Sequence, residues 1–318
     1  MAVMSPLRAW IRMAASGRTA LSPVQKIIRA ALMLPAFGVI FILLRIRLMI
    51  RNPIQVDVFD ARGSRFRCHP PDLIQLYLWI FGEWEPDLTA FISSRLSKGD
   101  VFVDVGANIG YYSILASRAV GDSGRVVAVE ASPAVFEALR ETIAMNDVCD
   151  RVRAINCAAA AQPGFIDVYS GPRHNTGLTS TIQRRGMHAQ AQVPSQPIDD
   201  LLQSDEFSRA RLIKIDVEGA EDQVLAGMCS IIRNGRRDLE ILVELSPQWW
   251  ADPSRRPIDV LQPLIDAGFH AYTIDNNYWM WRYLWPRCVK RPQRLRSDFT
   301  HRVHRLDLVL SRLDAEEL

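Results

Sequence analysis

Three groups of residues in this 318-residue chain have types and spacings that could do chemistry. Asp104, Gly106, Asn108 and Gly110 lie close together, Glu130 follows 24 positions after Gly106, and Asp216, Glu218 and Glu244 add three more carboxylates. Glycines in a turn between a strand and a helix aim backbone N–H groups and the positive end of the helix at a bound group. An acidic residue some 20 positions on, closing the next strand, can accept hydrogen bonds from ribose hydroxyls. A dinucleotide fingerprint starting at Gly106 would also want glycine at 108 and near 111. Asn108 and Tyr111 stand there instead. Asp104 would repel a pyrophosphate but suits a cofactor bearing an ammonium and a sulfonium. The spacing therefore favours S-adenosylmethionine over NAD.

These residues need elements to hold them. Val101 to Val105 reads as a buried strand by its β-branched and aromatic bias, and Tyr112 to Ala119 continues with helical spacing. Gly121-Asp-Ser-Gly124 is a turn, Arg125 to Val129 is a second strand ending in Glu130, and Ser132-Pro133 starts a helix. Further strands are expected at Arg151–Asn156, Leu212–Asp216, Leu239–Leu245, His270–Ile274 and Leu306–Leu310, with Phe165–Tyr169 as an extra one. Helices are expected over Ala220–Ile232 and over Ile258–Ala267, the second kinked at Pro263. The sum is an α/β chain with a Rossmann-like seven-stranded sheet and helices on both faces.

Asp104-Val-Gly-Ala-Asn-Ile-Gly-Tyr-Tyr-Ser113, Val129-Glu130 and Leu212-Ile-Lys-Ile-Asp-Val-Glu-Gly-Ala-Glu221 together resemble the FkbM family of S-adenosylmethionine-dependent methyltransferases. The resemblance runs from about Val101 to about Asp275, and Lys214 to Glu221 is its most specific part. It implies a class I methyltransferase fold and, usually, O-methylation of a hydroxyl. The family has a similar Asn-Thr-Gly to the one in the loop 171–177, so Asn175 and Thr176 could touch cofactor or acceptor; a solvated turn is the equal alternative. His174 reads as a surface imidazole rather than a base.

Methyl transfer from a sulfonium is an in-line displacement that needs alignment and, for a hydroxyl acceptor, removal of a proton. Asp216, Glu218 and Glu244 end or follow two strands on the side where open α/β sheets bind ligands. Three readings stay open. Asp216 or Glu218 could be the base or orient the acceptor, with Glu244 beside them; the acids could hold a divalent metal; or Asp216 caps the helix start at Gly219-Ala220 while Glu218 pairs with Lys214 or an arginine. Two other classes compete. An NAD-dependent oxidoreductase is disfavoured by the glycine pattern, and a non-catalytic S-adenosylmethionine-binding or membrane-attached module by the intact Asp104, Gly106, Gly110 and Glu130. A small-molecule or glycan acceptor fits best: a hydroxyl on a glycan, a lipid-linked sugar or a secondary metabolite.

Charge is unevenly spread. No Asp or Glu precedes Asp57, while Arg8, Arg12, Arg18, Lys26, Arg29, Arg45, Arg47 and Arg51 are basic. Removing those eight from the 38 leaves 30 basic against 35 acidic residues, so the body is mildly acidic and nucleic acid is not its expected partner. Five scattered cysteines without a Cys-x-x-Cys suggest free thiols in a reducing compartment. The chain divides into a basic, apolar segment (1–51), a lead-in of a hairpin and helices (52–98) and a catalytic domain (99–318). The uncharged run from Ala30 to Leu44 is shorter than a spanning helix needs and contains Pro35 and Gly38. Basic residues rather than a cleavage site follow it. Residues 21–51 then read as a helical hairpin in a membrane interface, a helix packed on the domain, or a targeting or spanning segment. The expected location is cytoplasmic, peripheral on the inner face of the membrane if the interface reading holds. Between the last two strands, Tyr278-Trp-Met-Trp-Arg-Tyr-Leu-Trp285 could wall the acceptor site, touch an interface or pack against the N-terminal helices.

Overall fold

Ser22 and Gln25 cap each other's backbone N–H groups at 2.9 and 3.3 Å, and this reciprocal cap starts helix α1 (Pro23–Met49). The computed structural model describes residues 8–12, 22–50, 54–70, 72–171, 179–184, 186–252, 254–276, 279–284, 289–296 and 305–318. They fall into two compact units: the first runs to Thr89 and regains residues 276–290, and the second runs from Ala90 to Asp275 and from Arg291 to Leu318.

In the first unit, α1 corrects the expectation of a broken hairpin. It continues through Pro35 and past Gly38, because buried Met33, Ala36, Ile40 and Leu44 recur at helical spacing on both sides of the proline. Its 27 residues span about 40 Å at ~1.5 Å each, so the helix is long and apolar enough to cross a membrane. Strands β1 (Val56–Phe59) and β2 (Arg65–Cys68) form the expected hairpin, turned by Asp60, whose Oδ1 accepts from Arg62 and Ser64 backbone N–H groups. Asp72 caps helix α2 (Leu73–Phe81), and Gly82, at φ 75°, ends it. Helix α3 (Pro86–Arg95) begins in this unit. Residues 276–290 fasten here: Arg282 makes two 2.6 Å bonds to Asp87, Asn276 donates to Glu85, and the Tyr283 ring lies 4.8 Å from Tyr77 and 4.7 Å from Phe81. Tyr283 is thus a packing aromatic, as is buried Trp84, edge-on to Tyr77. Trp279 is exposed, and Tyr278 and Trp285 lie outside the described residues.

The second unit is built on a large sheet. Strand β3 (Val101–Val105) leads into helix α4 (Tyr111–Val120), β4 (Arg125–Glu130) into α5 (Pro133–Met145), and β5 (Val152–Asn156) closes that side. A smaller sheet interrupts: β6 (Ala158–Ala159), β7 (Gly164–Ser170), β8 (Thr179–Ser180) and β9 (His188–Gln196), in the order β6-β9-β7-β8. Short helices α6 (Ile198–Leu201) and α7 (Ser204–Arg209) then deliver the chain to β10 (Ala210–Ile215). Helices α8 (Glu221–Ala226) and α9 (Cys229–Asn234) replace the single helix expected over 220–232. They part at Gly227, where a Cβ would lie 2.2 Å from the Ala160 carbonyl oxygen. Strand β11 (Glu240–Leu245), helix α10 (Pro257–Asp266) and strands β12 (His270–Thr273), β13 (Gln293–Arg294) and β14 (Leu306–Ser311) complete the unit.

The large sheet runs β13-β12-β14-β11-β10-β3-β4-β5, with β11, β10, β3, β4 and β5 parallel and β14 antiparallel to β11 and β12. It has eight strands rather than seven, because two residues of the basic tract pair with Tyr272 and Thr273 as β13. The central strands are buried on both faces, which is why they read as continuous β-branched runs. The chain winds from β3 out to β5, then restarts at β10 on the other side of β3 and winds to β11. The connections diverge between β3 and β10. In an open α/β sheet that divergence opens a crevice at the carboxyl ends of the two strands, and ligands bind there.

Candidate active site

Two strand ends meet at the crevice. After β3 the chain turns through Gly106, at φ 76°, whose own N–H and that of Ala107 donate to the Val129 carbonyl at 2.9 and 3.0 Å. Asp216, after β10, donates its backbone N–H to Val105 at 3.0 Å. A Cβ at 106 would lie 1.8 Å from the Asp216 carbonyl oxygen, so only glycine allows the two turns this close. Asn108 (φ 53°) and Gly110 (φ 88°) complete the left-handed turn into α4, and a Cβ at 110 would strike Leu139 at 2.7 Å. Glu130 closes β4 beside this turn. Its two oxygens accept from the backbone N–H groups of Asn108 and Ser132, both at 2.9 Å. Burial outweighs those bonds and pushes its carboxyl up to about 7.

The acids divide into two layers. Asp104 is wholly buried, accepts from Ser113 Oγ at 2.7 Å, and lies 3.5 Å from Lys214 Nζ. Burial raises its carboxyl, with the Lys214 ammonium opposing. The same ammonium is 3.3 Å from Asp216, whose side chain is 37 % exposed. In this arrangement Asp104 holds Ser113 in the first turn of α4 and the ammonium of Lys214.

The outer layer is the turn after Asp216. Glu218 sits at φ 56°, a strained conformation for a residue with a side chain and of the kind that collects at functional sites, and Gly219 follows at φ 109°, which glycine adopts freely. Buried Glu221 ties this turn to the loop after β11: its carboxylate accepts from Gly219 N–H at 2.7 Å, Trp250 Nε1 at 2.8 Å and Ser246 N–H at 3.4 Å. Ser180 Oγ donates to the Glu218 carbonyl at 2.8 Å. Glu218 Oε2 lies 3.5 Å from Arg184 Nη2, and the Arg184 guanidinium stacks 4.0 Å from the centre of the Trp249 ring. Burial first, then the nearby charge of Asp216, pushes the Glu218 carboxyl up to about 7 against the pull of Arg184.

Among the predicted residues, Asp104, Gly106, Asn108, Gly110, Glu130, Asp216 and Glu218 therefore gather at the carboxyl ends of β3, β4 and β10. Glu244 follows Val243, the register partner of Ile215, at the carboxyl end of β11, and it is paired with Arg305 at 3.2 Å. Of the two partners expected for Glu218, Lys214 or an arginine, the structure has the arginine, and the expected helix cap by Asp216 is not made. Lys214 pairs with Asp104 and Asp216, and α8 begins at Ala220 with no side-chain cap. Asn175, Thr176 and His174 lie outside the described residues. Among the described residues, no group of three His, Cys, Asp or Glu side chains is placed to hold a metal ion. A separate groove, lined by residues such as Phe136, Arg140, Cys149 and Val152, contains none of these acids. Sequence reasoning missed Arg184, Glu221 and Trp249 as members of the site. The final glutamate of Glu218-Gly-Ala-Glu221 was the one visible signal.

The residues fit S-adenosylmethionine. Glycine at 106 lets the ends of β3 and β10 close on each other, with the Asp216 carbonyl oxygen 1.8 Å from where a Cβ would stand, so the glycine turn and the acidic turn face one crevice. Each Glu130 oxygen keeps a lone pair for a ribose hydroxyl beside its backbone bond, and the outer acids give a sulfonium a negative setting. Five parallel strands in this order, with an antiparallel β14 and a glycine turn at the point of divergence, are the fold of a class I methyltransferase. The family model for the methyltransferase FkbM domain matches residues 104–271, just over half the chain, and the chain belongs to that family. It is an S-adenosylmethionine-dependent methyltransferase. Among curated proteins it is similar to methyltransferase sdnD of Sordaria araneosa, 25 % identical over 205 residues covering 55 % of this chain and 76 % of the relative. It is also similar to the hexuronic acid methyltransferase AglP of Haloferax volcanii, 26 % identical over 190 residues covering 58 % and 72 %. Among solved structures, an O-methyltransferase from Bacillus cereus in complex with SAH matches at 15 % identity and a TM-score of 0.37, covering 70 % of this chain and 78 % of that one.

Proposed function

We propose that this methyltransferase O-methylates a hydroxyl on a glycan, a lipid-linked sugar or a small secondary metabolite, with Glu218 as general base. The observation that carries the reading is Glu218 itself: strained, half-buried, raised to about 7, and on the turn that follows Asp216 at the carboxyl end of β10. A base with a proton affinity near the working pH transfers protons most effectively. Bound S-adenosylmethionine supplies an electrophilic methyl group on a sulfonium. The acceptor oxygen forms the new bond to that methyl as the carbon–sulfur bond breaks, and the hydroxyl proton passes to the Glu218 carboxylate. Asp216, held by Lys214, orients the acceptor. Glu130 and the turn from Gly106 to Gly110 hold the ribose and the rest of the cofactor. Asn175 and Thr176 remain candidates for acceptor contact on the strength of the family resemblance. The similarity to a hexuronic acid methyltransferase supports a sugar acceptor.

A second part of the proposal concerns place. The face of α1 opposite Met33, Ile40 and Leu44 presents Val24, Ile27, Ile28, Leu32, Ile42 and Ile46 to solvent, bordered by Lys26, Arg29, Arg45 and Arg47 with no acid. Such a face supports attachment to an anionic membrane at its cytoplasmic side, where a lipid-linked acceptor would be found.

The test is kinetic. Glu218→Gln and Asp216→Asn keep shape and lose proton acceptance, and turnover should fall by roughly two to four orders of magnitude. Because the base must be ionised, wild-type kcat/KM should fall as pH drops below about 7. Full activity in both variants ends the assignment, and loss of wild-type activity on chelation transfers the role to a metal.

A further inference from the structure

Arg184 is the residue at this site that the proposed reaction leaves without a task. Its guanidinium plane is fixed by the Trp249 ring at 4.0 Å. Trp249 is in turn held close to the acidic turn, because a Cβ on Gly219 would lie 2.9 Å from Trp249 Cβ. Among the described residues, Arg184 Nε and Nη2 are buried and make no hydrogen bond, and neither does Glu218 Oε2. The Arg184 to Glu218 distance of 3.5 Å is an ion pair without hydrogen-bond geometry. Two buried N–H donors on one edge of a guanidinium, Nε without a hydrogen bond and Nη2 with only the long contact to Glu218, are a standing cost unless a ligand takes them up. The Nε and Nη2 edge is the fork that matches the two oxygens of a carboxylate.

We propose that Arg184 is an anion-recognition residue whose Nε and Nη2 edge receives a carboxylate of the acceptor, so that the substrate is an acidic molecule such as a uronic-acid glycan. The inference rests on the site placement above and deepens it by naming a substrate class. A single planar guanidinium edge matches the two oxygens of a singly charged carboxylate. The geometry also couples recognition to chemistry. A bound carboxylate draws Arg184 away from Glu218, raises the proton affinity of Glu218, and makes it a better proton acceptor once ionised.

The experiment uses the full chain saturated with S-adenosylhomocysteine and titrated with sodium glucuronate, glucose or glucose 6-phosphate, read by calorimetry. Glucuronate should bind tighter than glucose by about tenfold or more, the worth of a charge-assisted fork. In Arg184→Gln that preference should vanish while S-adenosylhomocysteine affinity stays unchanged. Arg184→Lys, which keeps the charge and loses the fork, should retain only part of it. No preference in the wild type, or a preference intact in Arg184→Gln, overturns the proposal, and tighter binding of glucose 6-phosphate overturns the carboxylate assignment. Binding is read without turnover, so a failed base assignment at Glu218 would leave these results untouched. Failed binding would equally leave the Glu218 pH profile untouched.

Discussion

Replacing Glu130 tests how the cofactor is held. The side chain is 4 % exposed, and each carboxylate oxygen already accepts one backbone N–H, from Asn108 and from Ser132. Glu130→Ala strands both donors and removes the acceptors for two ribose hydroxyls. Ribose hydroxyls left without their acceptor cost about 1–3 kcal/mol of binding, so S-adenosylhomocysteine affinity should fall roughly 10- to 100-fold. Tm should fall as well, because the bonds to Asn108 and Ser132 exist without ligand. Glu130→Gln is not a mild change here. Both oxygens face N–H donors, so the amide must turn its NH2 toward one of them and lose that bond. The two variants should therefore resemble each other in a calorimetric titration, with Gln at the weaker end of the effect. Unchanged affinity in Glu130→Ala would refute the ribose assignment, and a Gln variant that binds like wild type would refute the geometry of the two acceptors.

Three further outcomes follow from the same geometry. Gly106→Ala combines a φ of 76° with a Cβ 1.8 Å from the Asp216 carbonyl, so it should abolish cofactor binding or the fold, whereas a wild-type Tm and affinity would contradict the close approach of β3 and β10. Glu218 takes up a proton near pH 7 when folded against 4.5 for the free side chain, so its contribution to stability declines as pH rises through that window. The Tm of Glu218→Gln relative to wild type should accordingly increase from pH 5 to pH 8, and a constant difference would count against the raised proton affinity. Full-length chain should float with vesicles containing phosphatidylglycerol and stay bound in high salt, and replacing Ile28, Ile42 and Ile46 with Ser should release it; release of the wild type by salt alone would mean electrostatic attachment without insertion.

The parts of the fold legible in the sequence are those where one local signal had no competitor. Strands β3, β4 and β10 are buried on both faces and so are written as unbroken β-branched runs, and the glycines at 106 and 110 mark backbone that no other residue could adopt. Strand β9 was missed because only Val193 and Ser195 along it are buried, leaving an Ala and Gln alternation without the usual bulk. The run through α1 was read as broken because proline weakens a helix locally, whereas the buried stripe from Met33 to Leu44 acts across the break. Charge partners were the least legible feature. Lys214 could have served Glu218, yet alternation along β10 turns it to the face of Asp104 and Asp216. Glu244 was expected beside Asp216, but its partner Arg305, 61 residues away in the sequence, was not. Arg184 lies in a loop with no periodicity, and only the folded chain sets it on Trp249.

The most direct test of methyl transfer to a hydroxyl is mass spectrometry of lipid and glycan extracts incubated with the full chain and S-adenosylmethionine carrying a CD3 group. The account predicts acceptors labelled by one CD3 on oxygen, absent when Glu218→Gln replaces the wild type. Labelling on nitrogen or carbon, or equal labelling by wild type, Asp216→Asn and Glu218→Gln, would contradict it.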